Sequence, residues 1–136
     1  MLFRSATWSI AQEAQHNGPL AFDEANHCLF IAATAKPEKF VVLDSDTGKV
    51  ITSMPSVSVA DEISYDAKNN RIYVAGDQFL YVFRQQDADH YSLLAKVPGS
   101  FRAKTAILVP ELDRYYLAVP QHGNNQAEVR VYSVMP

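Results

Sequence analysis

Cysteine is almost missing from this sequence: Cys28 stands alone in 136 residues, which excludes an internal disulfide framework. The four histidines show no zinc-type spacing. Only five glycines are scattered along the chain, so no glycine-rich loop can cradle a phosphate. The Gly-x-Ser-x-Gly elbow and the His-Glu-x-x-His pair are both absent. No apolar run approaches a membrane span, and residues 1–8 carry one basic residue and no signal-type apolar stretch, so no membrane partner is expected and the chain as written is placed in the cytoplasm. Twelve basic against fifteen acidic side chains give a net charge of -3. That balance offers no broad attraction to phosphate backbones, and nucleic acid is not the expected partner.

What is present suits one globular domain over residues 1–136: 48% hydrophobic residues supply a core and 20% charged residues a surface. The organising feature is a repeat. Residues 22–32 (FDEANHCLFIA) align without gaps with 65–75 (YDAKNNRIYVA), an offset of 43, and the same step reaches 108–118 (LVPELDRYYLA). Phe30, Tyr73 and Tyr116 are therefore equivalent, as are Ala32, Ala75 and Ala118. Within each unit β-branched and aromatic residues dominate between Asn/Asp-rich breaks, which predicts short strands and leaves no room for a helix pair. In the second unit the strands fall near residues 61–65, 71–75, 79–84 and 91–97. Segments such as Leu29-Phe30-Ile31-Ala32 are apolar at both parities, so both faces of each sheet must be covered. Four-stranded antiparallel units of this length, covered on both faces by neighbours, predict an all-β fold of β-propeller blades at about 18–54, 61–97 and 104–134.

The turn Asp44-Ser45-Asp46-Thr47-Gly48-Lys49-Val50 after Phe40-Val41-Val42-Leu43, with Asn70-Arg71-Ile72-Tyr73-Val74-Ala75, resembles the YVTN-repeat (YncE-like) β-propellers of the lactonase-like superfamily. The resemblance covers about residues 19–134, departs from the pattern in lacking the Asp-x-x-Thr-Gly turn in the third unit, and implies the C-terminal part of a longer propeller with exported relatives. The third unit holds three strands, and residues 7–11 lie 43 positions before residues 50–54, the fourth strand of the first unit. Residues 2–11 are therefore expected as a closing strand that completes the third unit of another chain, in a head-to-tail homodimer with six blades.

The resemblance implies that loops entering strand one and loops joining strands two and three ring a channel mouth. The candidates there are His16, Asp61, Glu62, Arg102, Lys104 and Asp77, joined by His122, Asn124 and Asn125. Two readings stand side by side. In one, Asp61, Glu62 and Asn124 supply oxygen ligands for calcium, Glu62, His122 and His16 move protons, and the reaction is metal-assisted hydrolysis of acyl-homoserine or sugar lactones. In the other, Asp61, Glu62, Arg102 and Lys104 form an ion-pair ring, and the chain binds a small molecule or protein without turnover, with Arg102, Lys104, Asp77 and Asn125 touching the ligand. Asp44-x-Asp46-x-Gly48 is read as a hairpin turn, because Pro55 stands where a calcium loop needs its glutamate.

Overall fold

A computed structural model describes all 136 residues. Strands β1 (Asn17–Asp23), β2 (Cys28–Ala33), β3 (Lys39–Asp44) and β4 (Val50–Pro55) form the first sheet. Strands β5 (Glu62–Asp66), β6 (Arg71–Ala75), β7 (Phe79–Gln85) and β8 (Tyr91–Pro98) form the second, and β9 (Thr105–Val109), β10 (Arg114–Val119) and β11 (Glu128–Ser133) the third. Every neighbouring pair is antiparallel and consecutive, so the chain meanders outward from the first strand of each sheet. This is an incomplete β-propeller of three blades, with three strands in the last. The only helical turn is a 3-10 segment, Pro110–Leu112.

The repeat sets the hairpins. Asp23 and Asp66, 43 residues apart, each cap the turn that follows: the Asp23 carboxylate accepts the Asn26 backbone N–H (3.2 Å) and side-chain amide (2.7 Å), and Asp66 takes the same donors from Asn69 (3.2 and 2.8 Å). The turns close with His27, Asn70 and Asp113 in the left-handed region at φ of 53°, 54° and 50°. Asn and Asp tolerate that conformation because their short polar side chains bond locally. In the third unit Val109 replaces the capping Asp, and Pro110 fixes the turn instead. At residues 44–48 Asp44 accepts the N–H groups of Asp46 (2.8 Å) and Thr47 (3.0 Å), which makes the segment the expected hairpin turn.

Alternation along each strand sends one set of side chains to each neighbour. Phe30, Ala32, Phe40 and Val42 leave the first sheet to meet Ile63, Ile72, Val74 and Phe83 of the second, with Phe40 and Phe83 stacked at 4.4 Å. The opposite parity, Tyr73, Ala75, Leu80 and Val82, packs on Tyr115, Leu117 and Val119 of the third. Both interfaces bury large apolar side chains, the dominant stabilising term for sheets without a helical layer. One buried polar staple crosses the first interface. The Gln85 amide donates to Asp23 Oδ2 (2.8 Å) and to the Tyr91 hydroxyl (3.1 Å), while Tyr65 donates its hydroxyl to Gln85 Oε1 (2.8 Å). Burial pushes the Asp23 carboxyl up, but the hydrogen bonds from Asn26 and Gln85 outweigh it and hold the group below its ordinary value. The Tyr65 phenol is pushed up to about 12 by burial and then by the Asp23 charge.

Within one chain residues 2–11 pair with no strand; the expected closing strand is a contact between chains. A strand needs a sheet edge to accept its backbone, and this segment meets a sheet face instead. Ile10 packs on Ile31, Val41 and Leu43, and Trp8 lies so close over the Gly48 turn that a Cβ on Gly48 would sit 2.1 Å from its ring. Glu13 accepts the Ser53 hydroxyl (2.7 Å) and pairs with Lys39 (3.3 Å), which pins the strap to β3 and β4.

Two measurements check this account. Phe83→Ala should lower stability by about 3–5 kcal/mol, read as a fall in the urea midpoint, because it opens a cavity in the larger core. The folded Asp23 carboxyl titrates below 3.8, so its contribution is complete above that pH and fades as pH falls through the folded value. Asp23→Asn should therefore show a lower stability at neutral pH and a flatter decline between about pH 5 and pH 2.

Candidate functional site

The loops entering β1, β5 and β9 and those joining strands two and three of each sheet lie on one edge of the stack, and the backbone links them in sequence. Thr34 N–H donates to the His16 carbonyl (2.7 Å), Val59 N–H to the Thr34 carbonyl (3.0 Å), Asp77 N–H to Ser58 (2.8 Å) and Gln78 N–H to Ser100 (3.0 Å). The last link is a side chain: Asp77 Oδ1 accepts the Arg102 N–H at 2.7 Å. Val59 and Arg102 occupy equivalent positions one repeat apart, and both are left-handed, at φ of 51° and 52°. Gly76 permits the close approach of neighbouring blades, since a Cβ there would meet the Ser58 carbonyl at 2.5 Å.

On this edge the third blade carries a compact aromatic and cationic group. The His122 imidazole stacks on Phe101 at 3.9 Å between ring centroids, and the Arg102 guanidinium lies 5.4 Å from the same Phe101 ring. His122 is held by a two-way backbone pairing with Asn125, at 3.1 and 2.9 Å. Lys104 and Arg102 line an open depression of about 640 Å³ with Ala118, Pro120 and Glu128. The expected ion-pair ring does not form. The ion pairs of the chain are His27–Asp46, Lys39–Glu13, Lys68–Asp113, His90–Asp87 and Arg130–Glu128, so neither the Arg102 guanidinium nor the Lys104 ammonium pairs with a carboxylate. The physical reason is local: Arg102 is anchored through its backbone to Asp77 and its side chain rests on Phe101, while Asp61 takes the Thr105 hydroxyl at 3.5 Å.

The remaining sequence candidates are dispersed. His16 engages the chain through its carbonyl, which also accepts the Thr34 hydroxyl at 3.1 Å, and its side chain is exposed. Glu62 opens β5, where burial and then the neighbouring Asp61 charge raise its carboxyl pKa. Asn124 lines a shallow depression with Gln126, Glu128 and Arg130, and no hydrogen bond joins it to Asp61 or Glu62. No group of three or more His, Cys, Asp or Glu side chains converges as metal ligands. Cys28 is fully buried, and burial pushes its thiol pKa up, the opposite of what a nucleophile needs. Sequence reasoning did not single out Phe101; the run Phe101-Arg102-Ala103-Lys104, an aromatic beside two cations, was the available signal.

No protein-family model matches the chain. No curated protein matches it either. Solved structures do. A chain of the mitotic checkpoint complex superposes with a TM-score of 0.66 at 12% identity, over 74% of this chain and 32% of that one. The β-propeller domain of Cps50 (Swd1) from Myceliophteria thermophila superposes at 0.53 and 14% identity, over 86% of this chain and 43% of that one. Both likenesses support the propeller fold, and the chain spans less than half the length of either neighbour. No helix is long and apolar enough to cross a membrane.

The linked loops make a further prediction. A β-branched residue in the left-handed region carries about 1–2 kcal/mol of strain, so Val59→Asn should raise the thermal midpoint by a few degrees. A scanning calorimetry trace with an unchanged or lower midpoint would contradict that account.

Proposed function

We propose that this chain is a protein-binding propeller module whose third blade holds an acidic segment of its partner. The observation that carries this reading is the Phe101 platform: one ring stacked by His122 and flanked by Arg102, beside Lys104, with neither cation neutralised by a carboxylate. A guanidinium resting on an aromatic face keeps its hydrogen-bonding fork free for a carboxylate, and the interlinked loops hold it in place at little further entropic cost. The neighbours support the role, since one is a component of a multiprotein complex. The lactone-hydrolase alternative has less behind it, because Asp61, Glu62 and Asn124 do not meet, and a calcium site needs six to eight converging oxygens.

The module works in this reading as a ring of two chains. The first and third sheets each turn an apolar face outward: Leu20 and Phe22 on one, and Ile107, Val129 and Val131, between 58% and 65% exposed, on the other. Uncovered apolar faces of this kind mark association surfaces, and two three-bladed chains placed head to tail cover all four.

Fluorescence anisotropy with a labelled glutamate-rich peptide tests the binding face. Arg102→Ala with Lys104→Ala should weaken binding at least tenfold, and raised salt should weaken the parent in the same direction. Equal affinity for a glutamine-rich control peptide would overturn the reading. Light scattering should return a mass twice the 15.2 kDa of one chain.

A further inference from the structure

We infer that residues 7–11 of a second copy form the fourth strand of the third sheet, pairing along the free edge of β11 and closing the groove between the second and third sheets. This rests on the two-chain ring and specifies how it locks. In the first two sheets the third strand pairs on both sides, β3 with β4 and β7 with β8, whereas β11 pairs only with β10. Beside that edge lies a cavity of about 270 Å³, with an apolar lining that includes Leu80, Leu94, Val97, Tyr115 and Tyr132. An unpaired edge beside an apolar groove is a receptor for an extended segment, with backbone hydrogen bonds on one side and side-chain burial on the other.

The occupant is indicated by three independent features. Residues 7–11 stand one repeat before residues 50–54, the core of β4. No backbone N–H or carbonyl of residues 1–9 is hydrogen-bonded within the chain, so residues 7–9 are free to pair, while the Ile10 carbonyl accepts the N–H groups of Glu13 and Ala14 in a turn that pairing through residue 11 would open. Its position is also right. β4 sends Ile51 and Met54 against the core shared with the second sheet, and β8 sends Ala95 and Val97 against the core shared with the third. Each outer strand thus abuts the outer part of the next blade. Ile10, Trp8 and Glu13 hold that place over β3 and β4, ahead of the first blade. The inner part of the same face, with Leu20 and Phe22, stays uncovered.

The segment before β1 therefore lies at a fourth-strand place, and β11 offers an edge where a fourth strand fits. Docking the third sheet of one copy on the first blade of another fills both places, with residues 7–11 drawn from the strap into strand conformation along β11. The register follows from the repeat: Thr52 pairs with Val42 and Ala95 with Val82, so Ser9 of the second copy falls opposite Val131.

Ser9→Cys combined with Val131→Cys tests this directly, because the native thiol of Cys28 is fully buried and does not compete. Mild oxidation should convert the double variant to a covalent two-chain species on a non-reducing gel, and neither single variant should do so. Deleting residues 2–9 should reduce the light-scattering mass to that of one chain. A dimer that neither cross-links at this pair nor dissociates on deletion would overturn the strand exchange while leaving the ring in place. A monomeric parent would overturn both.

Discussion

Each sheet in this protein is apolar on both faces, and that single constraint governs everything else. A sheet with one wet face can stand alone; one that alternates Phe30 and Phe40 to one side with Ile31 and Val41 to the other cannot. Stacking blades covers both faces, whereas closing one sheet into a barrel would leave its outer face in water. It leaves the stack with outer faces that need cover. The strap of residues 8–14 covers part of one, and nothing within the chain covers the other.

Polar chemistry in the interior serves the stack. Asp23 is buried at the base of the first hairpin, yet its carboxylate stays ionised because Asn26 and Gln85 satisfy it. Gln85 belongs to the next blade, so one amide ties hairpin geometry to blade packing. A buried carboxylate without those donors would cost more than the turn it caps returns. On the opposite edge the same economy appears in the backbone, where left-handed Val59 and Arg102 carry links from one blade to the next. Arg102 then does two things at once: its N–H locks the loop to Asp77, and its guanidinium lies over Phe101 with no carboxylate paired to it.

The candidate site was legible as a place and not as an arrangement. The offset of 43 paired Val59 with Arg102, both left-handed in the structure, and the resemblance put Asp77 on the same edge as Arg102, where the structure joins them at 2.7 Å. It could not foresee that Asp61 would turn to Thr105 or that Arg102 would lie on Phe101. Opposite charges at equivalent positions suggested pairing, but side chains of this length choose among several partners within reach, and local stacking decided. Phe101 escaped notice because aromatics elsewhere follow strand periodicity, and this one lies in a loop.

The sequence by itself determined the repeat, the hairpins and the parity of every strand. Those features depend on spacing, on turn residues such as Asp66-x-x-Asn69, and on alternation, all of which act within a few residues. Tertiary structure alone decided where the N-terminal segment lies within the chain, with Ile10 against the face formed by Ile31, Val41 and Leu43. It also decided which charges stay unpaired on the loop edge and which apolar faces remain open. These are relations between blades, set by how sheets stack in space, and no local pattern of residues carries them.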